Sequence, residues 1–210
     1  MRLFHRGFHR GIAIALLLVS APLGHDARAA DGASAFIAQL GQQATATMTS
    51  SAISSADRVR RFGLIVDRAF DVPRIAQFML GRHWETATVA ERGDFGNVFR
   101  DYMIRVYSDN FANYNNDTFR VIDERAVSDT MTVVRTSITT VATAQAITIE
   151  WLVSKKPEGF KVNDLSVDGV SLATAQQEEF ASVLRRSGGQ VAILTKLMRS
   201  KLTQMETAAQ

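Results

Sequence analysis

Cysteine is absent from all 210 residues. That excludes thiol chemistry, disulfides and any zinc site built with cysteine. Histidine is almost as scarce: His5, His9 and His25 fall within the first 29 residues, leaving His83 alone beyond them. A histidine-rich metal centre therefore has no ligands to draw on, and a Ser-His-Asp triad would have to be built on His83. His83 follows Gly81, where a histidine commonly bonds helix-end carbonyls. No glycine-rich phosphate loop is present; Gly188-Gly189 reads as a break between helices. No apolar run approaches the roughly 20 residues that span a bilayer. Internal repeats and interdomain linkers are also missing.

What the chain does have begins at its start. Arg2, Arg6 and Arg10 form a positive segment, Ile12 to Val19 a short apolar one, and Ala27-Arg28-Ala29 a small-x-small cleavage pattern. This is the layout of a secretory signal peptide over residues 1–29. The absence of cysteine after the apolar run excludes a lipoprotein anchor. Cleavage would change the charge balance. The whole chain has 24 Lys+Arg against 21 Asp+Glu. Removing Arg2, Arg6, Arg10, Arg28 and Asp26 leaves 20 of each, a formal charge of zero. A neutral domain lacks the electrostatic footprint of nucleic-acid binding. The expectation is an exported domain over residues 30–202, held together by its core, with a flexible tail at 203–210.

The first half reads helical. Phe36, Ile37, Leu40, Ala44 and Met48 recur at three- and four-residue steps, and Val59, Phe62, Ile65, Val66 and Phe70 mark a second stripe. Asp71-Val72-Pro73 opens a short helix that carries Ile75, Phe78, Met79 and Leu80 and ends at Gly81. Thr88 and Glu91 have capping-box spacing. They open the longest helix, with Phe95, Val98, Phe99, Tyr102, Met103, Val106, Tyr107 and Phe111 on its apolar face and turn chemistry from Asn113 to Asp117.

The period then changes to two. Thr118–Ala126, Thr130–Thr140, Ala146–Ser154 and Phe160–Val167 read as strands, with Lys155 to Gly159 as a hairpin loop. Ile147, Ile149, Trp151 and Val153 alternate on one face. Asp168-Gly169 turns the chain into helices over Thr174–Ser187 and Gln190–Lys201. The expected fold is α+β: N-terminal and C-terminal helices packed on one face of a curved four-stranded antiparallel sheet.

Several ordered motifs carry a family resemblance. They are Phe78-Met79-Leu80-Gly81-Arg82-His83-Trp84-Glu85-Thr86-Ala87-Thr88, Phe99-Arg100-Asp101-Tyr102 with Arg105-Val106-Tyr107, and Gly159-Phe160-Lys161-Val162-Asn163-Asp164. Asp168-Gly169-Val170-Ser171-Leu172, Phe180 and Gly188-Gly189 before Leu194 and Leu197 complete the set. Together they resemble the toluene-tolerance or MlaC family of periplasmic lipid carriers, over essentially the whole chain after the leader. The chain departs from that pattern at Phe160, where the family usually has Trp, and at Ala173-Thr174-Ala175-Gln176, where it has an Asn-Tyr-Arg-like segment. Gln176-Gln177-Glu178-Glu179-Phe180 looks closer to a branch associated with hopanoid biosynthesis.

The resemblance implies a periplasmic carrier that shuttles a phospholipid between an outer-membrane lipoprotein/porin complex and an inner-membrane ABC transporter. It implies transient membrane contact only, no cofactor and no enzymatic activity. A hopanoid-type lipid is the alternative cargo. Burying a methylene is worth about 0.8 kcal/mol, so long acyl tails need an escort through water. An apolar cavity between helices and sheet would supply it. Phe78, Met79, Val98, Tyr102, Val106, Val134, Ile149, Trp151, Val153, Phe160, Val162, Ile193 and Leu197 are the expected lining.

Two rival readings accompany this one, a carboxylate enzyme and a pure protein–protein module. The acids available to the first are Asp123-Glu124, Glu178-Glu179 and the Asp164/Asp168 pair; adjacent acids point apart on a strand and are expected on solvated surface. The basic clusters Arg58/Arg60/Arg61, Lys155-Lys156, Arg185-Arg186 and Arg199/Lys201 are likewise expected on solvated faces.

Overall fold

The computed structural model describes residues 32–48, 53–108, 118–139 and 146–208. The leader, Phe111 and the turn expected over Asn113–Asp117 lie outside these. Helices α1 (Ala33–Met48), α2 (Ser55–Ala69), α3 (Val72–Leu80), α4 (His83–Thr86) and α5 (Val89–Ser108) come first. Strands β1 (Thr118–Ser128), β2 (Met131–Thr139), β3 (Ala146–Lys156), β4 (Gly159–Val167) and β5 (Val170–Ser171) follow, then helices α6 (Leu172–Arg186) and α7 (Val191–Ala208). No helix among the described residues is long and apolar enough to cross a membrane.

Local chemistry fixes the helix ends. The Ser54 hydroxyl accepts from the Asp57 amide at the start of α2. The Asp71 carboxylate accepts from the Arg74 amide at the start of α3, with Pro73 in the first turn. Gly81 ends α3 with φ 52°, a conformation that costs glycine little. The capping box forms as the spacing predicts: the Glu91 amide donates to Thr88 Oγ1, and the Thr88 amide donates to the Glu91 carboxylate, at 3.2 and 2.9 Å. Helix α1 is different. Its Ser34 amide donates to Glu124 Oε2 of β1 at 2.9 Å, so a residue 90 positions away satisfies its first turn.

The sheet runs β1-β2-β3-β4-β5, antiparallel at every pairing. It has five strands where the sequence pattern gives four. Asp168 (φ 48°) and Gly169 (φ 84°) form a two-residue turn with both φ positive, which folds Val170–Ser171 back against Ser166–Val167. The fifth strand lacks a period of its own because Ser171 is at once its last residue and the N-cap of α6. A short helix, α4, also appears between the Gly81 stop and the Thr88 cap, where the sequence pattern gives none, and elsewhere only boundaries move. The β3–β4 hairpin is tighter than the five-residue loop expected, since Lys156 pairs with Gly159. Helix α7 runs to Ala208 rather than ending near Lys201, so most of the expected tail is helical.

The apolar residues divide into two clusters. One is helical and joins α2, α3, α5, α6 and α7 around Phe95, Phe99, Leu80, Leu184 and Leu194. The Phe180 ring stands edge-on to Phe95 and Phe99 at 6.2 and 6.3 Å between centroids. The other lies between α1 and the sheet, with Ile37, Leu40, Ala69, Val134, Val153 and Val162.

The two layers are bonded along β4. The Asp71 amide donates to the Val162 carbonyl at 2.9 Å. Lys161 Nζ donates to the Arg68 carbonyl at the end of α2 at 2.7 Å, a cation placed where a helix terminus is negative. Lys156 pairs with Asp71 at 2.9 Å. Asp71 thus caps α3 and anchors the hairpin together. Replacing it with Ala should lower unfolding free energy by about 1–2 kcal/mol, the cost of a lost N-cap. Lys156→Met should cost less, and paired urea melts would show the difference.

Candidate functional site

A cavity of about 420 Å³ separates the helical cluster from the sheet cluster. Its helical wall is Phe62, Ile65 and Val66 of α2, Ile75 and Met79 of α3, and Phe99, Tyr102, Met103 and Tyr107 of α5. Its sheet wall is Phe119, Ile138, Ile149, Trp151, Leu165 and Val167. Leu40, Gly41, Ala44 and Thr45 of α1 close one side; Phe70 and the first turn of α6 close others. The sheet wall follows from register. Thr136, Ile149 and Val167 are cross-strand neighbours, as are Val134, Trp151 and Leu165, so each row shares the inner face.

The wall is almost wholly carbon, and its polar side chains are Thr45, Tyr102, Tyr107, Asn163, Asp164 and Gln176. No Lys, Arg or His is among the described residues that line it. Asp164 is fully engaged. It accepts from the Leu165 and Ala173 amides at 2.8 and 3.0 Å and from the Ser171 hydroxyl at 2.6 Å, fastening β4 to the start of α6. Gln176 donates to the Glu179 carboxylate at 3.0 Å, which brings a second acid to this end. Burial raises the Tyr107 and Tyr102 phenols above their usual range, and nearby carboxylates add to the effect.

Two contacts shape the wall. Trp151 Nε1 donates to Thr136 Oγ1 at 2.9 Å, and that hydroxyl donates on to the Ile149 carbonyl at 3.3 Å. The indole's polar edge is thereby satisfied within the sheet, leaving its apolar body for the cavity. The Phe119 ring meets Trp151 edge-on at 6.5 Å. It also lies so close to α1 that a Cβ on Gly41 would stand 2.5 Å from it. Gly41 is therefore required by approach rather than by backbone angle.

Of the thirteen residues expected to line a cavity, Met79, Tyr102, Ile149 and Trp151 do so. Val134, Val153 and Val162 are inner-face residues buried under Ala33, Ile37, Leu40 and Ala69, where the α1–sheet cluster is filled. Phe160 packs on Phe36 at 6.0 Å. Val98 belongs to the helical cluster, and Val106 is half-buried and does not line the cavity. Phe78 (49% exposed), Ile193 (38%) and Leu197 (52%) sit on the outer surface. The α1 lining and Phe119 had no signal beyond ordinary amphipathicity. Phe99, Met103 and Tyr107 stand on the apolar face expected of α5, yet nothing in the spacing says which half of that face meets empty space.

The rival sites dissolve into structural roles. Asp168 Oδ1 accepts from the Thr148 amide at 3.3 Å, far from the bonding pattern of Asp164. Asp123 pairs with Arg135, whereas Glu124 turns to the opposite face and caps α1. Glu178 and Glu179 are exposed. His83 lies against the α6–α7 turn, with ring atoms 3.0 and 3.1 Å from where a Gly189 Cβ would be. Arg60 and Arg199 pair with Asp57 and Asp94; Lys155, Arg185 and Arg186 are exposed.

The model of the MlaC protein family matches residues 38–200. The chain belongs to the MlaC family. A solved phospholipid-binding protein from Ralstonia solanacearum, determined in complex with a phospholipid, is 26% identical with a TM-score of 0.73. The match covers 83% of this chain and 98% of the Ralstonia one. Membership agrees with an α+β architecture in which space is kept between helices and sheet.

The wall makes two checkable demands. In a helix interior, Gly→Ala normally gains up to about 1 kcal/mol. Gly96→Ala, where nothing lies within 4 Å, should show that gain in a thermal melt, and Gly41→Ala should not. The tyrosines give the second. Their folded pKa values are raised, so the unfolded chain loses these protons first as pH rises, and stability falls above the ordinary tyrosine range near 10. Ultraviolet titration should find late-ionising tyrosines, and Tyr107→Phe should remove one of them.

Proposed function

We propose that this chain is a periplasmic lipid carrier that seats the acyl portion of a phospholipid in the cavity and leaves the headgroup at the end marked by Tyr107, Asp164 and Gln176. The observation that carries this reading is the cavity itself: an apolar space between two otherwise well-packed clusters. Protein interiors rarely leave such space, because every lining atom forfeits dispersion contacts. Filling it with hydrocarbon restores those contacts and removes the chain from water at about 0.8 kcal/mol per methylene. The phospholipid held by the Ralstonia relative supports the same assignment.

The carrier reading needs no catalytic step. Of the carboxylates weighed as acid–base groups, Asp164 and Glu124 serve as helix caps. Residues 1–29 would deliver the chain to the periplasm. There it would take lipid from one membrane complex and surrender it to another, an outer-membrane assembly and an inner-membrane ABC transporter.

The test is to purify the protein from its native periplasm and examine it by native mass spectrometry with lipid extraction. One phospholipid per protein is expected; a hopanoid-type lipid in the extract would change the cargo but not the carrier. Ile149→Glu places a charge on the buried wall and should strip the lipid while melting stays cooperative. Protein that carries no lipid and takes none from vesicles would refute the proposal.

A further inference from the structure

We infer that the end of the helical layer where α3 and α6 stop and α5 and α7 begin is a docking surface for an anionic membrane. It is independent of the cavity and of what fills it. Gly81 leads from α3 through Arg82 into α4. His83 of α4 lies against the α6–α7 turn, its ring atoms 3.0 and 3.1 Å from where a Gly189 Cβ would stand. Helices α5 and α7 run alongside in the same direction: Asp94 pairs with Arg199, and Arg105 donates to the Met205 carbonyl at 3.2 Å. Both therefore begin at this end.

Two kinds of side chain collect there. Phe78, Val89, Ile193 and Leu197 are four of the eight large apolar residues exposed among those described, and Val89 is 84% exposed. Around them stand Arg82, Arg185, Arg186 and Lys196, all exposed and none with a carboxylate partner among the described residues. Arg186 donates to the Ser182 hydroxyl at 2.6 Å. Acids are fewer: Glu91 is held by Thr88, Glu85 is exposed on α4, and Asp94 is offset by Arg199. The chain beyond the leader has a formal charge of zero, so this positive excess is local.

Exposed cations attract anionic headgroups, and apolar side chains beside them enter the boundary between headgroups and acyl chains. Peptide partners are usually taken by a groove or an open strand edge. These residues line neither the cavity nor the small hollow between α1 and α2, and they stand on helices away from the sheet. A bilayer needs no groove. The surface is also apart from the cavity's polar end, since Gln176 and Arg186 are about 15 Å from each other along α6. Docking and lipid loading can thus be measured separately.

The experiment floats the protein, purified from its native periplasm, with vesicles of phosphatidylcholine or of phosphatidylcholine mixed with phosphatidylglycerol. Native mass spectrometry of the same samples records bound lipid. Co-flotation is expected with the anionic vesicles only, and high salt should abolish it. A cation near such a surface contributes roughly fivefold in binding, so Arg185→Glu combined with Arg186→Glu should weaken association by about twentyfold or more. Ile193→Ser combined with Leu197→Ser should weaken it and leave the salt dependence. All four residues are exposed, so melting temperature and lipid content should match the parent protein. Equal flotation with neutral vesicles, or flotation unchanged in the Arg185 and Arg186 variant, would overturn the inference. Binding to polyglutamate with none to vesicles would assign this end to an acidic protein and overturn it equally. A protein that carries lipid but never associates with vesicles would remove the docking surface and leave the carrier reading standing. A lipid-free protein that floats would support docking and remove the carrier reading.

Discussion

Everything in this molecule turns on the bonds that join its two layers along β4. The Asp71 amide to the Val162 carbonyl, Lys161 to the last carbonyls of α2, and Asp164 to the first turn of α6 fix the helical layer to one margin of the sheet. On the far margin α1 lies over β1, its first turn held by Glu124 and its middle stopped by Phe119. Two packed clusters bound in this way cannot merge into one, and the cavity is the space left over. An empty apolar space of this kind is costly, so the separation makes physical sense only if something else occupies it.

Most polar groups near the cavity are bonded back into the surrounding elements. Thr136 is fully buried, yet its hydroxyl joins the Trp151 indole to the Ile149 carbonyl and presents nothing polar to the cavity. Asn163 uses its amide nitrogen on Ser154 and the Lys161 carbonyl, back within β3 and β4, while its Oδ1 is buried without a partner. Asp164 spends its oxygens on the Leu165 amide of β4 and on two donors at the start of α6. The wall can thus be built from an ordinary mixed sequence and still offer hydrocarbon to hydrocarbon. The charge that remains is one-signed and confined to one end.

Much of the architecture is legible in the sequence, because periodicity records which face is buried. The alternation of Ile147, Ile149, Trp151 and Val153, the Thr88–Glu91 spacing and the Gly81 stop each have a direct structural counterpart. The fifth strand is hidden because two residues carry no period. The cavity lining is legible only in part, for a different reason. Periodicity says that Val134 and Ile149 both face inward, but only the placement of α1 decides that Val134 is covered by packed side chains and Ile149 by empty space. The same limit applies to α7: Ile193 and Leu197 continue an apolar pattern, yet α5 covers the neighbouring face and leaves these two outside. Glu124 shows the converse. A residue that reads as surface charge becomes the cap of a helix 90 positions earlier, which no local pattern can announce.

Trp151 stands in the cavity wall and Trp84 lies apart from it, packed in the helical cluster beneath Arg92. Those two are the chain's only tryptophans. The most direct test of the account loads the Trp84→Phe protein with a phospholipid brominated along its acyl chain and measures Trp151 fluorescence. Chains held in this cavity bring bromine into contact with the indole, and strong quenching is predicted relative to the unbrominated lipid. Bound lipid that leaves Trp151 unquenched would mean that the chains lie elsewhere, and the cavity would lose the role assigned to it.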